Sequence, residues 1–266
     1  MSTAVILQHV PFEGPGRIVP VFRDYGIPID IRHLYRGDEV PEDLDEIRIL
    51  VIMGGPMGVG DLGRPEYPFL AKEVDLLKRM IAEDRPVLGI CLGAQLLAHA
   101  GGAKVYLNTK PSARPGDLPV AAPEIGWGGI TLPFPGGTEP VVMGLMNGAP
   151  MFHWHFDTFD LPRLPAPATT PPGAPPSTGS VLIASTATCK NQAFRFKNRL
   201  FGFQFHFEMD QGGIEALLTH GRETLTKVLG AEGAERIRED TARYYAQNER
   251  LGNRILQNLV QFLKLY

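Results

Sequence analysis

Val87-Leu88-Gly89-Ile90-Cys91-Leu92-Gly93-Ala94-Gln95-Leu96-Leu97-Ala98-His99-Ala100 is the stretch on which the reading of this chain turns. It opens as an apolar run too short for a helix, passes through a Gly-x-Cys-x-Gly pentad, and continues in good helix formers up to Gly101-Gly102. That pattern reads as strand, sharp turn, helix. A side chain carried on such a turn needs neighbours without bulk two positions before and after it, because the chain folds back on itself there. Gly89 and Gly93 supply them. The geometry is that of a nucleophile elbow, with cysteine in place of serine. Cys91 then starts a helix, where the macrodipole favours thiolate over thiol and suits the residue to attack. The competing reading is a small buried hydrophobe flanked by glycines that let helix and strand pack closely.

Phe203-Gln204-Phe205-His206-Phe207-Glu208, far downstream, favours the first reading. A histidine and a glutamate two residues apart on an extended segment project from one face. A base and its orienting carboxylate can share that face, in the chain order Cys, His, Glu. Met53-Gly54-Gly55-Pro56 ends another apolar strand, and in open parallel sheets ligands sit beyond the carboxyl ends of strands. The backbone amides of Gly55 and Leu92 are therefore candidates for an oxyanion hole, against the alternative of a plain tight turn.

These residues resemble the class I glutamine amidotransferase family. Gly89-Ile90-Cys91-Leu92-Gly93-Ala94-Gln95 resembles its nucleophile motif, and Gln204-Phe205-His206-Phe207-Glu208 its His-Pro-Glu signature, with phenylalanine in place of proline. Ile52-Met53-Gly54-Gly55-Pro56 is similar to its oxyanion loop, Glu124-Ile125-Gly126-Trp127 to a strand start, and Asn191-Gln192-Ala193-Phe194 to the strand preceding the triad. The glutaminase domain of GMP synthase and its free-standing relatives offer the nearest likeness. The resemblance implies a triad of Cys91, His206 and Glu208. It also implies a glutamine pocket that includes Gln95, Phe156 and Asp157, the aspartate meeting the substrate's α-ammonium.

The bulk properties agree. With 266 residues and an apolar fraction of 44%, the chain suits one large α/β domain plus an appendage. A net charge of −3, with lysines and arginines scattered, gives no footprint for nucleic acid. Ala4-Val5-Ile6-Leu7 is too short for a signal segment, and no run reaches membrane-spanning length, so a cytoplasmic location is expected. The two cysteines, Cys91 and Cys189, are expected to remain unpaired, Cys189 as a structural bystander. His153-Trp154-His155 with Asp157 invites a metal reading, yet the other histidines offer no ligand spacing; no metal and no cofactor are expected.

Apolar runs at Ala4 to Val10, Ile29 to Leu34, Ile49 to Met53 and the elbow alternate with helical stretches at Arg17 to Tyr25 and Pro65 to Ala82. The expected fold is α/β, a flavodoxin-like, open, mostly parallel sheet with helices on both faces. Ile125 to Leu132 is expected in an antiparallel extension. Residues 1–210 are expected to form the catalytic domain, interrupted by a Pro-rich insertion over 161–180 that suits a surface segment, or else a lid or docking loop. Residues 211–266 are expected as a helical tail of four segments punctuated by Gly221, Gly230, Gly233 and Gly252. Leu256, Leu259, Val260 and Leu263 on it suit packing on the core or, as the alternative, against a second copy in a homodimer.

The expected chemistry is hydrolysis of a glutamine γ-amide through a thioester on Cys91. The ammonia would pass to a separate synthetase partner, since no phosphate-cradling glycine loop is visible. One alternative keeps the nucleophile but cleaves γ-glutamyl peptides or amines; another is a non-catalytic binding module on the same fold.

Overall fold

The computed structural model describes residues 2–114, 116–164 and 179–266, so most of the insertion expected over 161–180 lies outside the described residues. Parallel strands run in the order Ile29–His33, Thr3–Gln8, Ile47–Ile52, Val87–Ile90, Leu200–Phe203, and the antiparallel strands Ala193–Phe196 and Ser180–Ala184 complete a seven-stranded sheet. Counted in chain order, the parallel strands run 2-1-3-4-5, the flavodoxin-like arrangement.

Strand alternation sorts the sequence into two cores. Ala4, Ile6, Ile49 and Val51 face one side of the sheet, and Val5, Leu7, Leu50 and Ile52 the other. A parallel sheet buried on both faces needs such unbroken apolar runs, because every side chain meets a helix. Phe69–Ala82 and the elbow helix Leu92–Ala100 cover the second face through Leu70, Val74, Leu77, Leu96 and Leu97. Ile18–Asp24 and a long helix, Gly233–Leu263, cover the first through Ile18, Phe22, Ile255, Leu256, Leu259 and Val260. Among the described residues no helix is long and apolar enough to cross a membrane.

Three expectations need correction. Glu124–Ile130 does not extend the main sheet: it pairs with Ala149–His155 in a separate two-stranded sheet, and the antiparallel extension is made by Ser180–Ala184 and Ala193–Phe196. The strand Leu200–Phe203 ends before the extended segment expected to carry His206 and Glu208, leaving His206 bridged singly to Phe152. The last two helical segments expected in the tail are one helix of 31 residues running straight through Gly252. Gly252 is there for close approach: a Cβ would overlap the carbonyl oxygen of Phe207 and crowd the Arg17 side chain. The helix packs on the core, with Leu256, Leu259, Val260 and Leu263 beside the sheet.

Candidate active site

The elbow owes its shape to two close approaches. A Cβ on Gly89 would overlap the carbonyl of Gly93, and one on Gly93 would overlap the carbonyl oxygen of Ile52, so strand and helix can cross here only without side chains. Between them Cys91 takes φ 51° and ψ −107°, a conformation that L residues rarely adopt and that functional sites tend to hold under strain. The Sγ donates to the Trp154 carbonyl at 3.6 Å and accepts from Gln204 Nε2 at 3.6 Å. Gln95 in turn donates to Gln204 Oε1 at 3.1 Å, joining the elbow helix to the last parallel strand.

His206 Nδ1 donates to Glu208 Oε1 at 2.7 Å with both side chains buried. Its ring and Cys91 both border Gly54: a Cβ placed there would lie 3.2 Å from His206 Cε1 and 3.5 Å from Cys91 Cβ, and His206 Nε2 is buried with no hydrogen-bond partner among the described residues. Burial opposes charge on His206, but the Glu208 carboxylate and the Cys91 sulfur outweigh it, and its pKa is raised well above the ordinary histidine value. Phe207, where the family carries proline, is fully buried with its ring edge-on to Phe203 at 4.9 Å. Aromatic packing thus holds the backbone that a proline ring would stiffen.

Cys91 opens onto a cavity of about 390 Å³ whose walls include Gly55, Leu92, Gln95, Trp154, Phe156 and Asp157. All the residues expected from sequence are therefore gathered at one place, His206 and Glu208 behind the sulfur and the rest around the cavity. The amides of Gly55 and Leu92 donate to nothing among the described residues, leaving two unpaired N–H groups beside Cys91. Asp157 is half-buried, and desolvation raises its carboxyl above the usual value, against the pull of His155.

Sequence reading missed several neighbours. Asp61 and Thr224 also line the cavity. Glu13 sits with its carboxylate against Gly54, and burial raises its pKa although His206 and His9 work against the shift. Its only signal was an acidic residue inside a Gly/Pro turn.

The metal question also looks different in three dimensions. Glu124, His155 and Cys189 place ligand atoms within 4.8 Å of one another, so the group shares only His155 with the expected set, and Glu124 and Cys189 stand in place of His153 and Asp157. Their donors are already committed, however. Glu124 Oε1 accepts from the Thr186 and Thr188 hydroxyls, and Oε2 from His155 and Gln192, which fills a carboxylate's acceptor sites. Burial pushes the Cys189 thiol up to about 11, so the sulfur stays protonated against Thr158. This polar network braces Glu124–Ile130 and Ala149–His155 and engages the ligand atoms of Glu124, His155 and Cys189, while Gln192 Oε1 and both His153 ring nitrogens are buried without a hydrogen-bond partner among the described residues.

Comparison with known proteins agrees with the geometry. The family model for glutamine amidotransferase class-I matches residues 17–219. The glutamine amidotransferase-like protein YfeJ of Salmonella typhimurium is 29% identical over 246 residues, spanning 91% of either chain. The glutamine-hydrolysing GMP synthase of Porphyromonas gingivalis is 29% identical over 177 residues, covering 66% of this chain but 28% of that protein. The crystal structure of a glutamine amidotransferase from Methylobacillus flagellatus superposes with a TM-score of 0.76 at 25% identity, over 98% of this chain and 95% of that one. The chain belongs to the class I glutamine amidotransferase family.

Proposed function

We propose that the protein hydrolyses the γ-amide of glutamine with Cys91 as nucleophile. The observation that carries this reading is the strained Cys91 meeting the charged His206–Glu208 pair beside two unpaired backbone N–H groups. Cys91 reacts as a thiolate, its thiol proton having passed to His206 Nε2; Sγ bonds to the amide carbon, and the carbonyl oxygen takes up the electron pair between the N–H groups of Gly55 and Leu92. The carbon–nitrogen bond then breaks, and the proton on His206 Nε2 goes to the departing nitrogen, releasing ammonia. Water, deprotonated by the same nitrogen, cleaves the thioester to glutamate. Glu208 keeps the ring aligned and stabilises its charge.

Asp157, with Asp61 near it, gives the cavity an acidic end for the substrate's α-ammonium, while Gln95 and Phe156 form its walls. We assign the ammonia to a separate synthetase chain, since these 266 residues carry no phosphate-cradling loop and match only the 28% of GMP synthase described above. The cytoplasm is the compartment that fits two free, buried cysteines. We assign catalysis to residues 1–210 and an extension to residues 211–266, from which Thr224 reaches the cavity.

Steady-state ammonia and glutamate release from free glutamine, compared with γ-glutamyl peptides and amines, tests the substrate. We expect glutamine to turn over and Cys91→Ala to abolish turnover. Rapid cleavage of conjugates with indifference to glutamine would transfer the assignment to γ-glutamyl hydrolysis, and activity surviving in Cys91→Ala would end it.

A further inference from the structure

Behind the Gly54-Gly55 loop lies a buried pair of residues that the reaction scheme above does not use. His9 follows the strand Thr3–Gln8, Glu73 sits on the helix Phe69–Ala82, and neither is exposed to solvent. His9 Nε2 lies 3.0 and 3.1 Å from the two Glu73 carboxylate oxygens, and Nδ1 lies 2.9 Å from the Gly54 carbonyl oxygen. Both ring nitrogens face acceptors, so both donate and the ring is a cation. Burial works against that charge, but Glu73 outweighs it.

Stapling helix to strand does not require such a pair. Two ions at zero exposure carry a large desolvation cost, and apolar side chains of similar volume hold a core at least as well. The peptide they touch gives the charge a use. In a trans peptide the carbonyl of one residue and the N–H of the next point in opposite directions. Tying the Gly54 oxygen down to His9 aims the Gly55 N–H the other way, toward the cavity that Gly55 shares with Cys91 and Leu92. Two adjacent glycines have no Cβ to resist a peptide flip, so the direction must come from a partner. His9 is the partner to that carbonyl among the described residues.

We propose that His9, held charged by Glu73, is a positioning residue that locks the Gly54–Gly55 peptide with its N–H aimed at the reacting carbonyl. This rests on the reading of Gly55 as an oxyanion donor. A cationic donor on the carbonyl side also polarises the peptide and strengthens its N–H as a donor.

The test compares two double variants by glutamine kinetics and crystallography. His9→Leu/Glu73→Leu removes the pair without leaving a buried charge. His9→Asn/Glu73→Leu puts an amide near the Nδ1 position, where it can still donate to Gly54. The first is expected to lose about 30- to 100-fold in kcat with KM within about threefold, and to show the Gly54 carbonyl turned. The second is expected to recover kcat to within about fivefold of the parent, with the carbonyl in place. A leucine pair with unchanged kcat or an unmoved peptide, or an asparagine that fails to rescue, overturns the proposal. Glu73→Gln keeps volume and an acceptor and covers a leucine pair that does not fold: about a fivefold fall in kcat at constant KM is expected, and no fall overturns the claim. Should the parent protein not hydrolyse glutamine, the functional reading falls by itself, and the orientation of Gly54–Gly55 in the variant crystals still decides this one.

Discussion

On the proposed mechanism, Cys91, His206 and Glu208 divide the work between strain, charge and orientation. The φ of 51° holds the sulfur out of the strand, and the 2.7 Å bond from His206 Nδ1 to Glu208 leaves Nε2 as the ring nitrogen without a partner. Replacing Glu208 by glutamine keeps the volume but removes the charge that sustains the imidazolium. We expect Glu208→Gln to lower kcat on the order of 10²-fold with little change in KM, as read from glutamine titrations. A second residue-scale prediction concerns Glu124. Burial raises its carboxyl, but His155, His153 and the threonine hydroxyls pull it from 4.5 down to about 2. A folded value below the unfolded one means stability that is present above pH 4.5 and lost as pH falls toward 2. The shift corresponds to about 3 kcal/mol. His153, buried neutral with its value lowered to about 4, adds loss in the same direction between pH 6.5 and 4. Urea unfolding at pH 3, 5 and 7 should therefore show a steep acid loss in the parent and a flatter one in Glu124→Gln. Identical slopes would contradict the account.

Elements explain why some residues were legible in the sequence and others were not. The elbow could be read because strand, turn and helix are contiguous and the glycine spacing follows from a local crossing. His206 and Glu208 could be read because they lie two residues apart. His9 and Glu73 meet across 64 positions, and no local period links them. A trace existed all the same: Glu73 occupies the stripe of Leu70, Val74 and Leu77, where an amphipathic helix turns its apolar face inward. The break expected at Gly252 failed for a related reason, because a glycine demanded by a neighbouring backbone looks in sequence like one that ends a helix. The long helix also braces the site. Arg17 donates to the carbonyls of Asn248 at 3.0 Å and Met209 at 2.5 Å, and its own N–H donates to the Glu208 carbonyl at 2.9 Å. Helix propensity favours Gly252→Ala by up to about 1 kcal/mol, but overlap with the Phe207 carbonyl costs about 1–3 kcal/mol. Overlap should win. We expect a lower urea midpoint together with reduced kcat, since the displaced backbone leads directly to Glu208; a stabilised variant of full activity would show that the helix plays no part in holding the site.

The seven-stranded sheet carries a helical layer on each face, and both layers support loops around the site. Phe69–Ala82 brings Glu73 under the Gly54-Gly55 loop, while Gly233–Leu263 backs the loop that carries Glu208. At this scale the sequence revealed a flavodoxin-like sheet buried on both faces, because parallel strands covered on both sides leave unbroken apolar runs. It did not give the place of Glu124–Ile130, whose pairing with Ala149–His155 depends on a polar network drawn from distant segments. The central claim is that this arrangement makes position 91 a nucleophile toward glutamine-like carbonyls. Intact-protein mass spectrometry after exposure to a diazoketone analogue of glutamine tests it most directly. The account predicts a single adduct on Cys91, slowed by free glutamine and lost in Cys91→Ala, with Cys189 unlabelled. An unmodified protein, or label on Cys189 in place of Cys91, would contradict it.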